Sequence, residues 1–109
     1  MSPRQPHSRA PASYLTSGQW PDGEISGPRV VLYAQGFAVR LHAAIWNRAI
    51  REVARAADIS HTTLAAVMAG TRWPDMLTIA KLEESLQTEL WPGRELRSTE
   101  FDRGSEPAD

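Results

Sequence analysis

His61, Thr62, Ala65, Ala66 and Ala69 are spaced so that a helix over residues 61–69 places them in one sector of about 140°, at about 100° per residue. That face carries no charge and no bulk, whereas a merely solvated helix face usually carries lysine and glutamate. Its chemistry suits the edges of stacked base pairs. His61 can donate to a purine N7 or to guanine O6, Thr62 can bond a base edge or a phosphate, and Ala65 and Ala66 can meet thymine methyls. Ser60, with the open N–H groups of the helix start, can hold a phosphate. Leu64, Val67 and Met68 fall in a separate sector of about 100° and form the inward face.

Arginines supply the complementary charge. Arg48, Arg51, Arg55 and Arg72 can each neutralise a phosphate, and each such contact adds salt-dependent affinity through counterion release. Arg55 can equally pair with Glu52 or Asp58. The net charge of −1 hides a polarised chain. Residues 1–75 hold eight arginines against five acids, a local charge of +3, and residues 76–109 hold four basic residues against eight acids, a local charge of −4. The distribution matters more than the total.

Other chemistries lack their residues. The chain has no cysteine, which removes disulfides, thiolate zinc sites and cysteine nucleophiles together. Trp-Pro-Asp occurs at 20–22 and 73–75. The same tripeptide carries a general acid in tyrosine phosphatases, but that chemistry needs the missing cysteine. His7 and His42 have no partners at metal-ligand spacing. The expectation is no enzyme, no metal and no cofactor. No apolar run approaches the ~18 residues of a membrane span, and the expected location is the cytoplasm, at the nucleoid.

The elements that must position this face follow from hydrophobic spacing. Of the 109 residues, 41% are hydrophobic, concentrated between Val30 and Trp91. Three parts are expected. Residues 1–28 hold five of the eight prolines and read as a flexible arm. Within it Tyr14, Leu15, Trp20 and Ile25 could form a short strand or pack on the core, and Arg4 and Arg9 could reach a minor groove. Residues 29–93 read as an all-α domain of four to five helices. Residues 94–109 read as a charged, disordered tail.

The first helix is clear from Gln35, with Phe37, Leu41, Ala44 and Ile45 on one face. Its start is open, either at Pro28 or after an extended Arg29–Tyr33. Asn47 is placed as the N-cap of a second helix running to about Ala57, with Ile50, Val53, Ala54 and Ala57 inward. Asp58 stands at the turn, Ile59 plugs it, and Ser60 caps the third helix, which Gly70 stops. Pro74 is expected to open a fourth helix with Asp75 in its first turn. Ile79, Leu82, Leu86 and Leu90 keep helical spacing up to Trp91-Pro92-Gly93. Trp73 either closes the junction between the third and fourth helices or meets a DNA backbone. Trp46 and Trp91 are expected in a core or an interface.

Two helices crossing over a short turn need a small residue at closest approach and an apolar plug in the turn. Ala54 and Ile59 supply them. Ala54, Ile59, Leu64, Val67, Gly70, Pro74 and the run from Leu77 to Glu83 resemble the Cro and lambda-repressor-like helix-turn-helix family, also called the xenobiotic-response-element family. The run from His61 to Leu64, with Gly70, Trp73-Pro74 and Leu90-Trp91-Pro92-Gly93, is similar to a version common in actinobacteria. The resemblance spans about Phe37 to Gly93. It implies a compact four- to five-helix domain binding duplex DNA in sequence-specific fashion, usually as a dimer. It implies base contacts at His61, Thr62, Ala65 and Ala66, and phosphate contacts near Thr71 and Arg72. Ile50 departs from the glutamine often found at the first position. Asp58 replaces the usual turn glycine but tolerates a left-handed backbone better than most residues.

The resulting expectation is a transcriptional regulator, a repressor of its own or a neighbouring promoter, encoded in a prophage or mobile element. It would bind an inverted repeat as a homodimer. Leu86, Leu90 and Trp91 are candidates for the dimer surface, with Tyr14, Leu15 and Trp20 as alternatives. The competing expectation is a protein-interaction module of the same fold, antitoxin-like or binding another regulator.

Overall fold

A computed structural model describes residues 9–92. The expectations for residues 1–8, including Arg4, and for residues 93–109 lie outside the described residues.

Four helices form the body: α1 (Val30–Ile45), α2 (Ile50–Ala57), α3 (His61–Ala69) and α4 (Met76–Leu86). The fold is the expected all-α helix-turn-helix domain. In α1, Val31, Ala34, Phe37, Ala38, Leu41 and Ile45 recur every three or four residues and are all buried. Arg29–Tyr33 joins this helix rather than running extended. Its first turn is closed by Val31 N–H to Pro28 O at 3.0 Å and Leu32 N–H to Arg29 O at 2.9 Å. Phe37, Leu41, Ile45, Val53, Leu64, Val67, Leu82 and Leu90 make one core beneath all four helices.

Two helix starts differ from expectation. The residue before α2 is Ala49, in extended conformation and with no side-chain cap. Asn47 lies too far upstream because the chain first reverses at Trp46, which has φ 40. For α4 the cap is Asp75, which accepts the Thr78 N–H at 2.7 Å, so Pro74 stands outside the helix.

The end of α4 differs as well. The helix stops at Leu86, and Gln87 turns left-handed at φ 55. Leu90 and Trp91 reach the core by another route. One carboxylate oxygen of Glu83 accepts both of their backbone N–H groups, at 2.8 and 3.0 Å. Leu90 is then 1% exposed. Trp91 lies against Tyr33 and Phe37, each with ring centroids 5.9 Å away. Pro92 follows close against α1, where a Cβ on Gly36 would sit 3.0 Å from the proline ring.

Residues 9–28 do not form the expected flexible arm. A 3-10 turn (Pro11–Tyr14) leads into β1 (Leu15–Ser17), which pairs antiparallel with β2 (Glu24–Ile25). Pro11, Tyr14 and Pro21 are buried. Gln35 of α1 donates to the carbonyls of Pro21 and Gly23, at 2.9 and 2.7 Å. The proline content is real, but prolines restrict the chain without preventing packing. Tyr14 and Trp20 carry enough apolar surface to hold the segment against the helices.

Candidate nucleic-acid interface

The turn between α2 and α3 is built from local bonds. Asp58 adopts φ 62 and ψ 46, and its N–H points back to the carbonyls of Ala54 and Arg55. Ile59 N–H returns to Ala54 O at 3.0 Å. Lys81 of α4 then donates to the Asp58 carbonyl at 2.9 Å and to its carboxylate at 3.3 Å. Asp58 thus does more than tolerate the left-handed turn, because its side chain also ties the turn to α4.

Ser60 caps α3, accepting the Thr63 N–H at 3.0 Å. Its own hydroxyl proton goes to Thr63 Oγ1 at 3.0 Å. A phosphate offers only acceptors, so the Ser60 hydroxyl is already committed, while the His61 and Thr62 N–H groups remain open at the helix start. Thr71 shows the same limitation at the other end. Its hydroxyl donates to Ala66 O at 3.2 Å.

Between these caps the two faces separate as the spacing predicts. Leu64 and Val67 are buried and Met68 is half-buried against the core. His61, Thr62, Ala65 and Ala69 are exposed and Ala66 is half-buried. The carboxyl end is held by Gly70 at φ 78 and by His42, whose Nε2 lies 2.9 Å from the Met68 carbonyl. No local signal pointed to His42, since its partner lies 26 residues away.

Arg48, Arg51, Arg55 and Arg72 are exposed, and none forms an ion pair with a described residue. Arg51 and Arg55 lie one turn apart on the outer face of α2. Arg72 follows α3 directly and acts at a distance on Asp75. The Thr78 backbone N–H is the main reason that the Asp75 carboxyl titrates below its ordinary range; the Thr78 hydroxyl and the Arg72 charge lower it further.

The aromatic residues divide between the expected alternatives. Trp46 is not in the core but 80% exposed, because the reversal at its backbone swings it off the end of α1. Trp73 closes the junction, and its indole N–H donates to Arg9 O at 2.8 Å. Leu90 is withdrawn from any surface by its burial, and Leu86 and Trp91 are half-buried. Tyr14 is buried too, while Leu15 and Trp20 are half-buried. Among the described residues no cluster of three His, Cys, Asp or Glu side chains could hold a metal. No described helix is long and apolar enough to cross a membrane.

Comparison with known proteins adds one match. The profile of a helix-turn-helix family, of Cro/C1 type, fits residues 46–90, from the exposed tryptophan through α2, α3 and α4 to the buried Leu90. It supports a DNA-binding transcription regulator in general terms. Neither the curated proteins nor the solved structures provide a match.

Proposed function

We propose that the chain is a sequence-specific repressor that lays α3 in the major groove of an inverted-repeat operator, acting as a cytoplasmic homodimer. The observation that carries this reading is the outward strip of His61, Thr62, Ala65 and Ala69, uncharged and small, on a helix anchored by Leu64 and Val67. Such a strip suits entry into a groove about 12 Å wide. His61 and Thr62, with the adjoining Ala65 and Ala66, read base edges. Arg51, Arg48 and Arg72 hold phosphates through guanidinium groups that form no ion pair with a described residue. Ser60 takes part through the His61 and Thr62 N–H groups beside it, and Thr71, whose hydroxyl and N–H both go to Ala66 O, takes part by setting the position of Arg72. Two-fold pairing would set the two recognition helices about 34 Å apart.

Titration of labelled duplex DNA tests the proposal. Affinity should fall with salt at a slope of about 0.9 per phosphate neutralised. Arg72→Ala should weaken random and selected duplexes alike. His61→Ala should weaken binding to a duplex selected from a random pool by about tenfold while leaving random DNA nearly unchanged. A selected palindrome would support the dimer. Salt-independent binding, or none, would overturn the proposal.

A second reading, a protein-interaction module of the same fold, is favoured by apolar side chains left in solvent. Trp46 is 80% exposed, Met76 85% and Leu77 64%. It predicts that Trp46→Ala and Met76→Ala abolish capture of a partner protein while Arg72→Ala has no effect.

A further inference from the structure

The carboxyl end of α3 is gripped by residues outside the segment that matches the helix-turn-helix family. Ala12 N–H donates to Gly70 O at 2.8 Å. The Trp20 ring and the Ala12 methyl cover Gly70 so closely that a Cβ there would lie 2.8 Å from both. Two residues beyond Arg72's own neighbour Thr71, the Trp73 indole reaches Arg9 O at 2.8 Å, across 64 residues of sequence. The loop holding Thr71 and Arg72 is therefore pinned at both ends by one N-terminal segment. That segment is itself fixed to α1 by the two Gln35 bonds and to its own hairpin by Ser26 N–H to Tyr14 O at 3.0 Å.

We propose that residues 9–25 form a positioning brace for DNA reading, with Trp20 as its key residue and Arg72 as the group it aims. The inference rests on the DNA-binding reading above. A long guanidinium side chain leaving a rigid loop has less freedom to lose on meeting a phosphate than one leaving a mobile loop. Trp20 works through the area of its ring, since its buried indole N–H has no hydrogen-bond partner among the described residues. Phenylalanine at that position keeps a ring over Gly70 and forfeits no hydrogen bond.

The experiment titrates a labelled random-sequence duplex across a range of salt with the full chain, at a temperature where circular dichroism shows each variant folded. Trp20→Ala should weaken binding about tenfold, and its salt slope should fall by about 0.9, the signature of one phosphate contact. Trp20→Phe should keep most of the affinity. In an Arg72→Ala background the Trp20→Ala loss should vanish, because a brace that acts through Arg72 has nothing left to aim. Amide exchange at Thr71 and Arg72 should quicken in Trp20→Ala while that of α2 stays unchanged. A folded Trp20→Ala with unaltered affinity and slope, or losses that add in the double variant, overturns the brace. Should Trp20→Ala fail to fold, Trp73→Phe removes the indole N–H that donates to Arg9 O while keeping an aromatic ring at the junction; a loss of about threefold that disappears without Arg72 supports the brace, and unchanged binding overturns it. Wild-type chain that binds no DNA overturns the brace and the DNA-binding reading together, whereas normal wild-type binding with indifferent variants overturns the brace alone.

Discussion

α3 and the hairpin at residues 9–28 meet at Gly70 but are held by opposite means. α3 is capped first by its own neighbours, with Ser60 at the start, Gly70 at the stop and Thr71 folding back to Ala66, and His42 and Ala12 only add to its carboxyl end from a distance. The hairpin pairs only a few residues and depends on partners far along the chain, namely Gln35, Gly70 and Trp73. A two-stranded hairpin is marginal by itself in water. The helix is therefore a local structure that tertiary contacts aim, and the hairpin is a structure that tertiary contacts create. Damage to one should propagate differently from damage to the other.

The sharpest break is on the helix side. Leu64 is fully buried, and Leu64→Ala should cost about 2–5 kcal/mol in urea unfolding, with the hairpin lost in the same transition. Two separate transitions would show that the regions are independent. Next comes the point of contact. Gly70→Ala meets both a left-handed backbone and the Trp20 ring, and should cost about 2 kcal/mol. Adding Trp20→Ala should return part of that loss, leaving about 1 kcal/mol from the left-handed backbone together with the contact on the Ala12 methyl. Simple additivity would argue that the ring does not press on the helix end.

Smaller effects test the local caps. Ser60→Ala should cost about 1 kcal/mol and raise amide exchange at Thr63 without disturbing the hairpin. The weakest test concerns acid. The Asp75 carboxyl titrates below its ordinary value because it accepts the Thr78 N–H. A lowered folded-state value adds stability that is complete above the unfolded value near 3.8 and disappears as pH falls through the lower folded value. Asp75→Asn can still accept that N–H but cannot titrate, so its melting temperature should decline less steeply over this acid range. An unchanged acid slope would remove Asp75 from the account.

The amphipathic face of residues 61–69, the Ser60 cap and the Gly70 stop were all legible in the sequence, while the left-handed turn at Asp58 was what the family resemblance implied. Each depends on residues within about four positions of one another, where spacing is itself a statement about geometry. The same local logic misplaced Asn47, because a cap needs the chain to arrive directly at the helix, and the reversal at Trp46 delays it. It misread Leu90 as part of α4 because helical spacing does not reveal that Glu83 will gather the following N–H groups in a different path. It could not decide between order and flexibility for residues 9–28.

The sequence alone thus determined the helix that faces outward and its local caps at Ser60 and Gly70, since those follow from nearest-neighbour sterics and hydrogen bonding. Only the tertiary structure decided that Trp46 stands in solvent, that Leu90 is withdrawn from any interface, and that a proline-rich segment clasps the end of α3. Those outcomes depend on surfaces brought together from distant parts of the chain, and their energies exist only once the chain has folded.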